Sequence, residues 1–321
     1  MPGFTYLVRR LFYLLPLWIG ISFLAFGLSL LAPGDPASGL YVQLYGQPAP
    51  SQSALDSLRR EYGLDKPFLV RYGLWLLAAL QGDLGFSYQS GQPVLVEITD
   101  RIGPTFQMAL GGLLVSLLIA FPLGLIAALR ANQSADLAAR LFALIGTAMP
   151  AYWLAYILIL LFSVQLKWLP VAGTGSWRHF ILPSLTLGLG GAASLSRLLR
   201  SAVLEVLGQD YVRTARAKGL SQGQVIGRHA LRNALIPVVT LTGGLFGFLL
   251  SGAVVVETVF AWPGIGRLII DAIAFRDYPV IQGFVLFTGT LFVLINLLVD
   301  LSYVWLDPRI RLTGTGDVTR G

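Results

Sequence analysis

The sequence predicts an all-α membrane protein with six transmembrane helices, and three observations carry that expectation. Charged residues make up 12% of the chain and hydrophobic residues 55%, with a mean hydropathy of +0.71, whereas a soluble domain carries about 25% charged residues. At least five apolar runs reach the roughly 20 residues that a hydrocarbon core about 30 Å thick demands. Fourteen of the twenty-three Lys and Arg residues, counting Arg197 at the end of the fourth span, fall in or at the edge of segments that six spans leave on one side, and such an excess marks cytoplasmic loops. The same distribution accounts for the net charge of +7 without a nucleic-acid partner.

The elements follow in order. Arg9 and Arg10 precede the first apolar run, Leu11 to Leu31, and orient its end outward. This run exceeds the core of a cleavable signal peptide, about 7 to 15 residues, and Pro33-Gly34-Asp35-Pro36 is no small-x-small cleavage site, so residues 1–32 read as a retained anchor. Residues 33–100 change character, with Pro, Gly, Gln, Ser and both charge signs, and read as an external segment. Within it Ser53 to Tyr62 is an amphipathic helix opened by a Ser cap. Trp75 to Leu80 is apolar but too short to span, and belongs at an interface or against the bundle.

A core over residues 101–305 then carries five spans: Phe106 to Leu129, Leu141 to Leu166, Ile181 to Leu199, Leu235 to Val256 and Val280 to Trp305. The tail 306–321, with Arg309 and Arg311, returns to the side of the N-terminus, which places both termini and the loops Arg130 to Arg140 and Arg200 to Ala234 in the cytoplasm. Pro122, Gly124, Pro150 and the Gly188 to Gly191 cluster fall inside spans, where they favour close helix packing over hinges.

The long cytoplasmic loop has the most definite local pattern. Gln209 to Gly219 reads as a short helix with Asp210 at its start, Tyr211 and Arg213 on its first turns, and Arg216 and Lys218 at its end. Gly219 then supplies a left-handed cap, and the acid and bases complement the helix dipole. Ser221 and Gln224 form a Ser-x-x-Gln capping box for a second helix running toward Asn233, with Pro237 expected to open the next span. The result is helix, Gly corner, helix, lying flat on the cytoplasmic face.

This loop resembles that of ABC importer permeases, whose pattern is Glu-Ala-Ala, three residues, Gly, nine residues, Ile-x-Leu-Pro. Gly219, Ala215 and Leu231 take the Gly, the second Ala and the Leu; Arg213, Thr214, His229 and Arg232 stand where the pattern has Glu, Ala, Ile and Pro. Five further runs resemble the first permease subunit of importers of the oligopeptide, dipeptide and nickel group. They are Asp65-Lys66-Pro67 through Gly82-Asp83-Leu84-Gly85, Arg101 to Thr105, Trp262-Pro263-Gly264-Ile265-Gly266-Arg267, Arg276-Asp277-Tyr278-Pro279 and Leu306 to Arg311. The likeness covers residues 5–312.

The resemblance implies the type I importer permease fold and a multi-pass place in the bacterial inner membrane. It also implies a second homologous permease, two cytoplasmic ABC ATPase subunits and an external solute-binding protein as partners. Asp210, Tyr211, Arg213, Ala215, Arg216, Lys218, Gly219 and Leu231 would couple to the ATPases. Arg59 and Arg60, with Trp262, Pro263, Gly264, Gly266, Arg267 and Asp277, would form the external docking or gating surface. The substrate class would be di- or oligopeptides, with nickel, glutathione or another small solute as the alternative.

Sites of chemistry are absent from the pattern. No Gly-x4-Gly-Lys-Ser/Thr phosphate loop occurs, so this chain binds no nucleotide of its own and ATP with Mg belongs to partner subunits. Two histidines without His-Glu-x-x-His, and no cysteine, argue against a metal site, a thiol nucleophile and a disulfide framework. Ser194 and Ser196 lack a Gly-x-Ser-x-Gly elbow, and Gly188-x-Gly190 lacks the spacing of a dinucleotide fingerprint. Asn296 and Asp300 share one face of the last span; an ionisable group there marks function unless it snorkels to the nearby cytoplasmic end. The chain is therefore expected to be a transport subunit and not an enzyme, with a nucleotide-independent channel as the alternative from another class.

Overall fold

The computed structural model describes residues 16–27, 35–48, 51–250 and 253–306. Those residues are helical throughout, apart from turns and one isolated bridge between Phe86 and Pro93. They group into two compact units, the first drawn from Met1–Pro104 and Pro263–Val293, the second from Thr105–Trp262 and Leu294–Gly321.

The first unit opens with α1 (Pro16–Gly27), an apolar helix; the remainder of the expected first span lies outside the described residues. Asp35 caps α2 (Pro36–Tyr45) by accepting from the Ala37 amide, and Ser51 caps α3 (Gln52–Glu61) by accepting from Ala54. The Ser cap expected within Ser53 to Tyr62 thus falls two residues earlier, since Ser51 has the extended backbone that a cap requires. The apolar stretch Trp75 to Leu80 is the end of α4 (Phe68–Leu80). It packs against α1 through Phe23, Phe26, Phe68, Tyr72 and Trp75, whose rings lie 5.2–6.5 Å apart. Leu84, Val94, Ile98, Leu268, Ala272, Val280 and Leu286 form this unit's core.

The second unit is built around α8 (Arg178–Leu207), which packs on α6 (Ser134–Ala148), α7 (Ala151–Leu158) and α11 (Leu231–Leu250). The long helix α5 (Val94–Leu129) approaches α8 where Gly188 faces Val115; a Cβ on that glycine would sit 2.4 Å from Val115 Cβ. Ser116 Oγ closes the contact by donating to the Gly112 and Gly188 carbonyls. Close packing thus accounts for Gly188.

Pro150 behaves differently. The expected straight span Leu141 to Leu166 is a pair, α6 then α7 extended by a π-helical turn (Ile159–Gln165), bent by 107°. Residues before proline are driven out of the helical region, and Met149 sits at φ −80°, ψ 123°, so the helix ends there.

The expected span Leu235 to Val256 also differs. Helix begins with α10 (Gln222–Gln224), continues through a π-helical turn (Val225–Ala230) and runs on as α11 with Pro237 inside it. Pro237 does not open the span, and the second loop helix is continuous with it instead of ending near Asn233. A short α12 (Val254–Val259) then follows. The last helices are α13 (Ile265–Phe275) and α14 (Tyr278–Leu306), the latter matching the expected final span.

Helices stand at all six expected span positions. Among the described residues three, Val94–Leu129, Leu231–Leu250 and Tyr278–Ile295, are long and apolar enough to cross a membrane, and a fourth is added if the bent pair counts as one span. α8 has the length, 30 residues, but the Gly, Ser and Thr of its interior make it less apolar. Large apolar side chains point outward, including Leu118 at 73%, Phe248 at 68% and Leu24 at 66% exposure. Lipid is the solvent that suits such a surface.

Candidate functional site

The basic-loop pattern of residues 209–224 folds into a compact corner. α9 (Asp210–Ala217) follows Gln209, whose extended backbone at φ −74°, ψ 149° starts the helix. Its buried face is Val212 and Ala215, which pack with Val225 and with Val206 and Leu207 from the end of α8. A residue larger than Ala215 would push α9 away from that seat. Gly219 turns the chain at φ +82°, a backbone conformation costly for any other residue type and most of all for a β-branched one. No atom lies within 4 Å of where its Cβ would be, so backbone conformation alone restricts this position.

Ser221 and Gln224 make half of the expected capping box: the Gln224 carbonyl oxygen accepts from both the Ser221 amide and its hydroxyl. Asn233 Nδ2 donates to the Tyr211 hydroxyl at 2.8 Å and ties α9 to α11. Leu231 is half-buried where the π turn meets α11. Against this anchored face stands a polar one: Tyr211, Arg213, Arg216 and Lys218 are exposed, and Asp210 meets Arg213 at 3.5 Å with side chains 96% and 73% exposed. An ion pair in that setting contributes little to stability. The corner is thus held from within by small apolar groups and presents a basic surface outward.

Residues 120–312 of the chain match the family described as binding-protein-dependent transport system inner membrane component. The glutathione transport system permease protein GsiC of Escherichia coli (strain K12) is 43% identical over 307 residues, covering 96% of this chain and 99% of that protein. The chain belongs to this family. It is an ABC importer permease subunit of the binding-protein-dependent kind, as the loop and the five runs implied. The GsiC protein of Salmonella choleraesuis (strain SC-B67) is likewise 43% identical over 307 residues. A chain from a crystal structure of an amino acid ABC transporter with histidines superposes with a TM-score of 0.52 at 13% identity, covering 64% of this chain and 92% of that one. That likeness bears on the fold alone.

The permease's other sequence-derived positions are placed unequally. Arg59 donates to Asp35 at 2.8 Å and pairs with Asp56, so it staples α3 to the cap of α2, whereas Arg60 is exposed. Trp262 is buried in the second unit beside Phe180, in a core with Met108, Leu182 and Phe260. In the first unit Gly264 and Gly266 are buried while Pro263 and Arg267 are exposed. Asp277 is 1% exposed, accepts from Ser87 Oγ at 2.6 Å and from the Gln89 amide at 3.2 Å, and so fastens the 82–93 loop beneath α14. The side chains of Asn296 and Asp300 lie outside the described residues.

Two buried acids went unnoticed in the sequence. Asp136 is fully buried and accepts from Arg200 Nε at 2.6 Å and Nη2 at 2.9 Å, and from the Asn132 amide at 2.9 Å, which locks the Arg130 to Arg140 loop onto α8. Glu257, also fully buried, accepts from Thr105 Oγ1 at 2.9 Å. An acid in a basic loop was the available signal for Asp136; for Glu257, an acid at the edge of an apolar run was.

Proposed function

We propose that this permease forms one half of the translocation pathway of an ATP-driven importer for small peptides, glutathione included. The observation that carries the coupling role is the α9 to Gly219 to α10 corner, which is braced inside by Val212, Ala215 and Val225 and exposes Tyr211, Arg213, Arg216 and Lys218. Partner ATPases bind and hydrolyse ATP and move this corner. Because α10, the π turn and α11 are helical without a break, a push at the corner reaches a candidate span directly.

A second permease of similar fold completes the cavity, and an external binding protein delivers substrate to the face bearing Arg60, Pro263 and Arg267. The setting is a bacterial inner membrane with both termini cytoplasmic. Relatives named for glutathione, a tripeptide in chemical class, support the choice of substrate.

Co-expression with the partner permease and ATPases in proteoliposomes tests this reading. Uptake of labelled glutathione or a dipeptide that requires ATP, the binding protein and this chain is expected. Solute flux without nucleotide would establish a channel instead. Reporter fusions at Gln47 and Gln222 should report opposite sides of the membrane; the same side for both would overturn the orientation.

A further inference from the structure

We propose that the first unit carries a binding site for one anionic phospholipid, with the lipid phosphate in a cavity beside α4 and an acyl chain along α4 itself. The cavity is about 250 Å³ and is lined by Lys66, Arg71, Leu74, Trp75 and Tyr88 among others, with no Asp or Glu among its lining residues. Neither Lys66 nor Arg71 has a carboxylate partner among the described residues. Arg71 instead lies with its guanidinium carbon 5.8 Å from the Phe26 ring. The carboxylates whose charge reaches Tyr88 are engaged elsewhere: Asp35 with Arg59 and the cap of α2, Asp277 with Ser87 and Gln89.

The other polar side chains of the lining, Tyr62, Trp75, Tyr88, Tyr278 and Gln282, all carry a donor, and none carries a formal negative charge. Trp75 Nε1 is buried without a hydrogen-bond partner, a condition that costs free energy until an acceptor arrives. Burial, with the charge of Asp277 behind it, pushes the Tyr88 hydroxyl up to about 12, so at neutral pH it holds its proton for donation. Two unpaired cations, an orphaned indole N–H and a phenol, with no acid between them, describe a receptor for an oxyanion.

The apolar surroundings select a lipid over a free anion. Leu74 both lines the cavity and is 52% exposed, and Leu77 and Leu80, at three-residue steps from it, are 60% and 65% exposed. From Arg71 through Leu74, Leu77 and Leu80 the i, i+3 row winds diagonally round α4, running from cation to bare hydrocarbon over an axial rise of about 14 Å. That is the order of groups along a phospholipid, headgroup first and chain after.

The test uses the full chain, delipidated in detergent and titrated with phosphatidylglycerol or phosphatidylcholine, with retained lipid read by native mass spectrometry. Phosphatidylglycerol should bind more tightly than phosphatidylcholine, and K66Q/R71Q should weaken it about thirtyfold, since each cation near an anionic headgroup contributes about fivefold. K66R should bind as the parent does, and W75F should lose less than the double variant. Inorganic phosphate should displace phosphatidylglycerol only at far higher concentration. Displacement at comparable concentration would make this a free-anion site, and equal binding of the two lipids by the parent chain would reduce it to an apolar surface. Either result overturns the proposal, and neither depends on the variants folding.

Discussion

Asp136 and Asp210 each stand in the first turn of a helix in a basic loop, yet they do opposite work. Asp136 is fully buried between two Arg200 nitrogens and the Asn132 amide, whereas Asp210 is 96% exposed with a 3.5 Å contact to Arg213. A buried charge left without its partner is expensive, while an exposed pair is nearly neutral in folding. The first loop is therefore a fixed mount, and the second is a surface free to engage another protein.

The sharpest way to break this contrast is Arg200→Met, which removes both close side-chain donors to Asp136 and leaves its buried carboxylate the Asn132 amide and Arg140, whose Nε lies 3.6 Å away. A loss of about 3 kcal/mol is expected, read as a lower unfolding midpoint and reduced yield. Asp136→Leu added to it should recover most of that loss; no recovery would mean that the pair is not what holds the loop. Asp277→Ala is next, because it strips Ser87 Oγ and the Gln89 amide of their acceptor. About 1–3 kcal/mol and faster amide exchange over 87–90 are expected.

The two arginines of α3 extend the contrast to the other unit. Arg59→Glu, which replaces the bonds to Asp35 and Asp56 with like-charge repulsion, should lower the unfolding midpoint measurably. Arg60→Glu should leave stability within about 0.5 kcal/mol and weaken binding-protein docking more strongly at low salt. Docking unchanged across a salt series would move the docking face to Pro263 and Arg267. The smallest effect on folding, again within about 0.5 kcal/mol, belongs to Asp210→Asn, whose consequence should be confined to ATPase coupling.

How much of this was legible in the sequence follows the range of the forces involved. The helix, Gly corner and returning helix of 210–224 were readable because caps and positive-φ glycines are local, and Gly219 at +82° is such a case. The final span was equally plain, since a long apolar run needs no partner to declare itself. The bend at Pro150 departs from the packing role expected there: proline marks a break, but whether a span kinks or reverses depends on what its flanks pack against. Pro237 shows the reverse, a proline tolerated inside α11 after a π turn.

The fastening of Asp136 to Arg200, of Glu257 to Thr105 and of Asp277 to Ser87 spans 64, 152 and 190 residues of sequence. No local period encodes such pairs. Arg59 is a shorter-range case of the same kind: its charge is visible in the sequence, but its bond to Asp35 is not.

In the proposed function, motion passes from partner ATPases to this permease through a corner whose angle Gly219 sets. Gly219→Val is the direct test, because open space around the missing Cβ confines the damage to backbone conformation. Substrate-stimulated ATP hydrolysis and uptake would be measured together in proteoliposomes holding the assembled importer. The account predicts normal insertion and assembly with uptake per ATP lowered at least about tenfold, a penalty that 1–3 kcal/mol of backbone strain can supply. Uptake and stimulated hydrolysis equal to those of the parent would contradict it.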